Sequence, residues 1–302
     1  MNIVVHLTGL NGPICGSMGG ERAALAISKG LIELGHNVKM MTGKDTKQED
    51  VDVPVVYEMP NDTDIIFGNG ADLSKYNKPW LSWVHGGGSD PPNSHWHNNP
   101  NYLCVSQYIC NLSNNKNYVH TCIYPDDFIY KDKKQNYIGW IAGTDWGEGK
   151  GLFTTIQLAK KLKFRLKLAG AGKNQQIINT VKSLCDDKIE FIGEVNGKEK
   201  AEFLSNAKAI ILYSRLNDAC PLVISESLIS GTPVIGSMDG ALPELIQHNK
   251  TGILCSNENE LPKAVLNINK IKPIDCREYA LEHFSHIATA KKLLKIFEEM
   301  KK

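Results

Sequence analysis

The chain has 302 residues, 42% of them apolar and 22% charged, enough apolar side chains for two cores of ordinary size and too many for a disordered chain. Lys plus Arg number 34 and Asp plus Glu 33, a net charge of +1, which excludes the phosphate-neutralising excess of a general nucleic-acid binder. The balance is uneven along the chain: residues 1–124 sum to −3 and residues 125–302 to +4.

Residues 2–8 open as an apolar, β-branched strand. Ala24, Ile27, Leu31 and Leu34 recur at helical spacing through 21–34, and Gly35 ends that helix. Residues 37–42, 53–58, 64–68, 80–84 and 102–105 follow as short apolar strands. Segment 125–136 sets Asp126, Asp127 and Asp132 among Lys131, Lys133 and Lys134 and is expected to be a charged surface linker. Strands are then expected at 137–142, 165–169, 189–192, 209–213 and 233–235, and helices at 152–162, 175–184, 198–205, 221–230 and 242–248. The tail, 285–302, lines Ile287, Ala290, Leu293, Leu294, Phe297 and Met300 along one side of a helix. Continuous apolar strands joined by helices or short loops predict parallel sheets covered on both faces. The expected architecture is α/β: two doubly wound Rossmann-like domains facing a cleft, 1–124 and 125–285, with the helix of 286–302 packing back towards the first.

No apolar run reaches the roughly 18 residues of a membrane span, and the start shows no basic region or cleavage site, so no targeting segment is expected. Eight cysteines without a C-x-x-C pair are expected as buried thiols. The sequons at Asn61, Asn111 and Asn249 read as chance matches, and a cytoplasmic setting is expected. His95-Trp96-His97 has no Cys, Asp or Glu close by and reads as a loop rather than a metal site. Of the tryptophans at 80, 83, 96, 140 and 146, most are expected to pack in strands or loops.

Three segments carry chemistry. Gly143-Thr-Asp-Trp-Gly-Glu-Gly-Lys150-Gly151 follows a strand and opens a helix, so its amides and Lys150 can meet an anion. It is no Walker loop, because Thr144 stands where the first glycine belongs and Gly151 replaces the Ser or Thr that binds Mg²⁺. Gly170-Ala171-Gly172 ends another strand, but Gln175 occupies the place of the third glycine of a dinucleotide fingerprint. The third segment runs from Asp218 through Glu226, Gly231-Thr232-Pro233 and Gly240-Ala241-Leu242 to Leu254. It places two carboxylates eight residues apart, and Glu226 sits among Val223, Ile224 and Leu228, where an exposed face is unnatural.

This last segment resembles the acidic E-x7-E motif of retaining GT-B glycosyltransferases of the glycosyltransferase 4 family. Gly19-Gly20-Glu21-Arg22, Val84-His85-Gly86, Val105-Ser106, Lys150-Gly151, Gly170-Ala171-Gly172 and Tyr213-Ser214 fall in that family's order across nearly the whole chain. The resemblance implies an acceptor-side first domain and a nucleotide-sugar-binding second domain. It implies that Glu226 holds the ribose hydroxyls, Asp218 contacts the donor sugar, and Lys150 binds the diphosphate with amides at Gly240, Ala241 and Leu242. It further implies that Gly19 and Gly20 approach the donor phosphate, that Gly143, Thr144, Gly170 and Gly172 border the donor, and that His85 lies near the transferred sugar. The expected activity is transfer of a hexosyl group, with retention, from a UDP- or GDP-type sugar to a glycan, lipid or other hydroxyl acceptor. The nucleotide-sugar is a co-substrate; no bound cofactor, metal, nucleic-acid partner or transmembrane segment is expected, while peripheral membrane contact stays open.

Two departures qualify the likeness. Thr144 follows Gly143 where the family places an arginine, which removes a bidentate phosphate ligand unless Arg22 or Arg215 supplies the charge. Asp218 is one methylene shorter than glutamate. They keep a second reading in view, a non-catalytic nucleotide-sugar or glycan-binding protein on the same fold.

Overall fold

The computed structural model describes residues 1–7, 19–44, 46–48, 51–86 and 96–300. The chain divides into two units: Met1–Tyr124 with Glu282–Lys302, and Pro125–Leu281.

In the first unit, β1 (Asn2–His6) leads to α1 (Gly19–Glu33) and β2 (Asn37–Met41). The strands β3 (Val55–Val56), β4 (Ile65–Asn69), β5 (Trp80–Val84) and β6 (Tyr102–Cys104) follow, and then α2 (Gln107–Ser113). All pairings are parallel, in the order β3-β2-β1-β4-β5-β6. Ser106 caps α2 by accepting the Ile109 N–H at 3.3 Å, a start signal that the apolar pattern alone does not reveal.

In the second unit the elements are β7 (Ile138–Ile141), α3 (Leu152–Leu162), β8 (Leu166–Ala169), α4 (Gln175–Leu184), β9 (Ile189–Gly193) and α5 (Gly197–Asn206). They continue with β10 (Ala209–Leu212), α6 (Leu222–Ile229), β11 (Val234–Ser237), α7 (Leu242–Leu245), β12 (Gly252–Cys255), α8 (Leu261–Asn267) and α9 (Pro273–Phe284). The sheet order is β12-β11-β10-β7-β8-β9, again all parallel. Both sheets therefore reverse direction beside their first strand, at β1/β4 and β7/β10. Such switch points open a crevice at the carboxyl ends of the strands, where doubly wound sheets bind ligands.

The last helix, α10 (His286–Met300), returns to the first unit and crosses α1. Gly30 permits the crossing, since a Cβ there would lie 2.5 Å from the His286 carbonyl oxygen. Phe297 of α10 meets Phe67 of β4 at a ring separation of 6.1 Å, and Phe67 meets Trp83 at 4.9 Å. The helix expected over 242–248 closes early, because Ile246 is already extended at φ −116° and ψ 116°.

The segment expected as a charged linker is anchored. Lys134 Nζ donates to the carbonyls of Ser205 (3.0 Å) and Ser230 (2.9 Å) and to Thr232 Oγ1 (2.9 Å). Lys131 Nζ donates to Asn206 Oδ1 at 2.8 Å. Charge density marked this stretch as surface; three converging acceptors draw Lys134 in. Among the described residues no helix is long and apolar enough to cross a membrane, and none of Cys104, Cys110, Cys122, Cys185, Cys220, Cys255 and Cys276 is in a disulfide.

Candidate active site

In the first unit, β4 ends at Asn69 and His85 follows β5. His85 Nε2 lies 2.5 Å from Asn69 Oδ1. A Cβ on Gly20 would come within 2.9 Å of Asn69 Nδ2 and 3.5 Å of His85 Nε2, so a glycine in the first turn of α1 lets the helix approach this pair. Burial pushes His85 down to about 4; the imidazole is neutral at pH 7 and acts through hydrogen bonds, not charge. Gly19 is the exposed first residue of α1. Sequence reasoning missed Asn69, whose only signal is its place at a strand end.

The remaining expected residues lie in the second unit. After β7 the chain makes 3₁₀ turns over Thr144–Lys150, broken at Gly147 (φ 46°). The Trp140 indole N–H donates to the Lys150 carbonyl at 2.9 Å, and the Arg215 amide donates to the Gly149 carbonyl at 2.8 Å. Gly151 ends the turns at φ 67°, and a Cβ there would lie 2.5 Å from the Tyr213 carbonyl oxygen. The backbone at Lys150 is thus fixed against the ends of both β7 and β10.

This placement brings the Lys150 ammonium onto Asp218 Oδ1 as an ion pair, with side chains only 13% and 14% exposed. Asp218 Oδ2 is buried and has no hydrogen-bond donor among the described residues. Gly240 holds the Asp218 backbone from the far side: at φ 58°, its Cβ would lie 2.5 Å from both Asp218 N and O. The amides expected to meet a diphosphate are partly engaged. Ala241 donates to the Asp218 carbonyl at 2.8 Å and Leu242 to the Asp239 carbonyl at 3.3 Å.

Gly143, Thr144, Gly170 and Gly172 come together as the junction of two loops. The Thr144 amide and hydroxyl both donate to the Ala171 carbonyl, at 2.8 and 3.2 Å. A Cβ on Gly170 would sit 1.9 Å from the Ala142 oxygen, and one on Gly172 1.9 Å from Thr144 Oγ1. Close packing accounts for these small residues without a ligand. The helix starts nearby already hold anions, and they belong to the chain. Asp145 accepts from the amides of Lys173 (2.9 Å) and Asn174 (2.8 Å), and these bonds hold its carboxyl below the usual range. Glu148 accepts from the amides of Phe153 and Thr154, each at 3.0 Å, and from the Thr154 hydroxyl at the start of α3. Burial pushes Glu148 up, but the bonds from Thr154 and Arg215 outweigh it and leave the carboxyl low.

Arg215 lies between Glu148, at 2.8 Å, and Glu258. Glu226, on α6, is 1% exposed, and Lys200 Nζ of α5 lies 2.6 Å from its Oε2. The apolar neighbours of Glu226 signalled its burial. Nothing in the sequence signalled Lys200, nor the capping roles of Asp145 and Glu148.

Residues 131–279 match the profile of the family described as Glycosyl transferases group 1. Over 101 residues the chain is 33% identical to N-acetyl-alpha-D-glucosaminyl L-malate synthase of Bacillus anthracis, covering 33% of this chain and 26% of that protein. The matches to curated relatives span between 26% and 36% of those proteins' lengths. Among solved structures, AviGT4, a glycosyltransferase involved in avilamycin A biosynthesis, superposes with a TM-score of 0.79 at 17% identity, covering 99% of this chain and 97% of that one. Sucrose-phosphate synthase from Thermosynechococcus elongatus superposes with a TM-score of 0.75 at 15% identity, covering 100% and 99%. The segment 131–279 is thus similar to the glycosyl transferases group 1 family, and the chain that carries it has the GT-B fold of two Rossmann-like units.

Proposed function

We propose that this protein is a retaining glycosyltransferase that moves a hexosyl group from a nucleotide-diphosphate sugar, of the UDP or GDP type, to a hydroxyl acceptor such as a glycan or a lipid-linked sugar. The carrying observation is the Lys150–Asp218 pair at the β7/β10 switch point, with Asp218 Oδ2 buried and lacking a donor among the described residues. An oxygen in that condition is stabilised by an incoming hydroxyl, and a sugar supplies one. The ammonium beside it suits the growing charge of a departing diphosphate.

In this reading the bond between the anomeric carbon and the phosphate oxygen breaks while the acceptor oxygen bonds that carbon on the same face. The acceptor proton passes to the departing phosphate oxygen. Lys150 stabilises the leaving group more in the transition state than in the ground state, and this difference is what accelerates the step. No metal takes part in the proposed step. Glu226 accepts hydrogen bonds from the nucleotide's ribose.

The test is product analysis after incubation with UDP-, GDP- and ADP-sugars and a panel of hydroxyl acceptors. UDP-N-acetylglucosamine belongs in the panel because the Bacillus anthracis relative is named for that glycosyl group. A new glycoside with the donor's anomeric configuration is the expected result. A free or epimerised sugar indicates hydrolase, phosphorylase or epimerase chemistry instead. Donor binding without turnover across the panel favours a non-catalytic binding protein, for which the missing arginine and the engaged amides of Ala241 and Leu242 speak.

A further inference from the structure

The ion pair between Lys200 and Glu226 is unusual in its surroundings. Glu226 is 1% exposed and Lys200 16%, and on α6 the carboxylate stands among the buried Ile224, Leu228 and Ile229. Taking two charges out of water is costly, and a buried pair replaced by apolar residues is often no less stable. The pair is therefore a poor device for joining α5 to α6. Removing the lysine raises the cost of holding a charge on this buried carboxylate and favours its protonated form. A neutral carboxylic acid is a weaker acceptor of hydroxyl protons than a carboxylate.

We infer that Lys200 is a positioning residue for nucleotide recognition: it keeps Glu226 ionised and aimed, and so sets how strongly the site distinguishes a ribonucleotide from its 2′-deoxy form. This rests on the proposed reading of Glu226 as the acceptor for ribose hydroxyls. The two partners differ in mobility. Glu226 is held on a buried helix face, whereas Lys200 has a long, flexible stem and the greater exposure. Lys200 is therefore the partner able to change rotamer when a ligand meets the carboxylate.

Calorimetric titration of UDP against 2′-deoxy-UDP, and of GDP against 2′-deoxy-GDP, tests this on the wild type, Lys200→Met, Lys200→Arg and Glu226→Gln. Thermal melting checks that each variant is folded. The wild type is expected to prefer the ribonucleotide of its base by about tenfold or more, the usual effect of hydrogen bonds to a charged group. Lys200→Met is expected to reduce the preference to about twofold or less, and Lys200→Arg to retain most of it. If Lys200→Met does not fold, Lys200→Gln carries the same test. A merely structural lysine would weaken both nucleotides equally and leave the preference intact; that result, with the preference lost in Glu226→Gln, overturns the assignment of Lys200 alone. A preference that survives in Glu226→Gln overturns the reading of Glu226, and the inference with it. Binding of neither diphosphate overturns the nucleotide site altogether.

Discussion

Lys150→Met removes the ammonium that faces Asp218 Oδ1 and leaves the aspartate enclosed, with its side chain only 14% exposed. Breaking a buried pair from one side costs about 3–5 kcal/mol, and the residual exposure of both partners favours the lower figure. For a domain of this size, a loss of about 3 kcal/mol lowers the melting temperature by roughly 6–12 °C. Asp218→Asn in the same chain removes the stranded charge, and the double variant is expected to recover most of that loss. Catalysis follows a different pattern. If Lys150 stabilises the departing diphosphate, its loss costs about 2.7–4 kcal/mol in the transition state, a fall of 10²–10³ in kcat. Adding Asp218→Asn does not return an ammonium, so the double variant stays at least as slow. The assay is a double-mutant cycle read twice, by melting and by single-turnover transfer with saturating donor. Transfer restored in the double variant would show that Lys150 only balances Asp218, and near-wild-type transfer in folded Lys150→Met would refute its role in leaving-group stabilisation.

Further expectations follow from neighbouring geometry. Gly240→Ala places a Cβ 2.5 Å from Asp218 N and O at φ 58°; melting should fall by the equivalent of about 1–3 kcal/mol and transfer should fall with it as Asp218 shifts. Arg215 is held by Glu148 and Glu258 with its side chain 38% exposed, so Arg215→Met should change stability by no more than about 1 kcal/mol. The same variant should change the donor KM by less than about threefold; a collapse of donor binding would mean that Arg215 leaves its carboxylates to serve as the missing phosphate ligand. Lys134 gives a pH signature. Burial pushes it down from 10.5 to about 8, so between those values the unfolded chain binds more protons than the folded one, and stability rises with pH across that window. Below pH 8 both states hold the proton, so the cost of burying the charged lysine is full and constant there, and it fades as pH rises towards 10.5. In Lys134→Met the rise between pH 8 and 10.5 should flatten relative to the wild type in urea melts, and an unchanged slope would contradict the burial argument.

Much of the fold was legible because parallel strands covered on both faces read as continuous apolar runs. Ile3, Val4 and Val5 in β1, and Ile210 and Ile211 in β10, are all nearly inaccessible. β12 escaped notice because it is four residues long and begins at a glycine. Trp146 departs from the expected packing: it is 61% exposed, while Trp83 and Trp140 are fully buried. The burial of Glu226 could be read from its apolar neighbours on one helix. Its partner could not, since Lys200 belongs to another helix and only tertiary packing joins them. The same limit hid Asn69 beside His85. It also hid the most consequential local fact: Asp145 and Glu148 occupy the helix starts that the glycine-rich segment offered to a ligand. Glycine spacing marks where amides come close to an anion, but not whether the chain supplies that anion itself.

Lys150, Asp218 and Glu226 together are the proposed nucleotide-sugar site. Thermal melting of the wild type, Lys150→Met and Glu226→Gln against UDP-, GDP- and ADP-sugars tests it most directly, because a ligand that binds only the folded state raises the melting temperature. A rise in the wild type with the sugars of one base, and its loss in both folded variants, is the expected result. No rise with any nucleotide-sugar, or a rise that survives both substitutions, would contradict it.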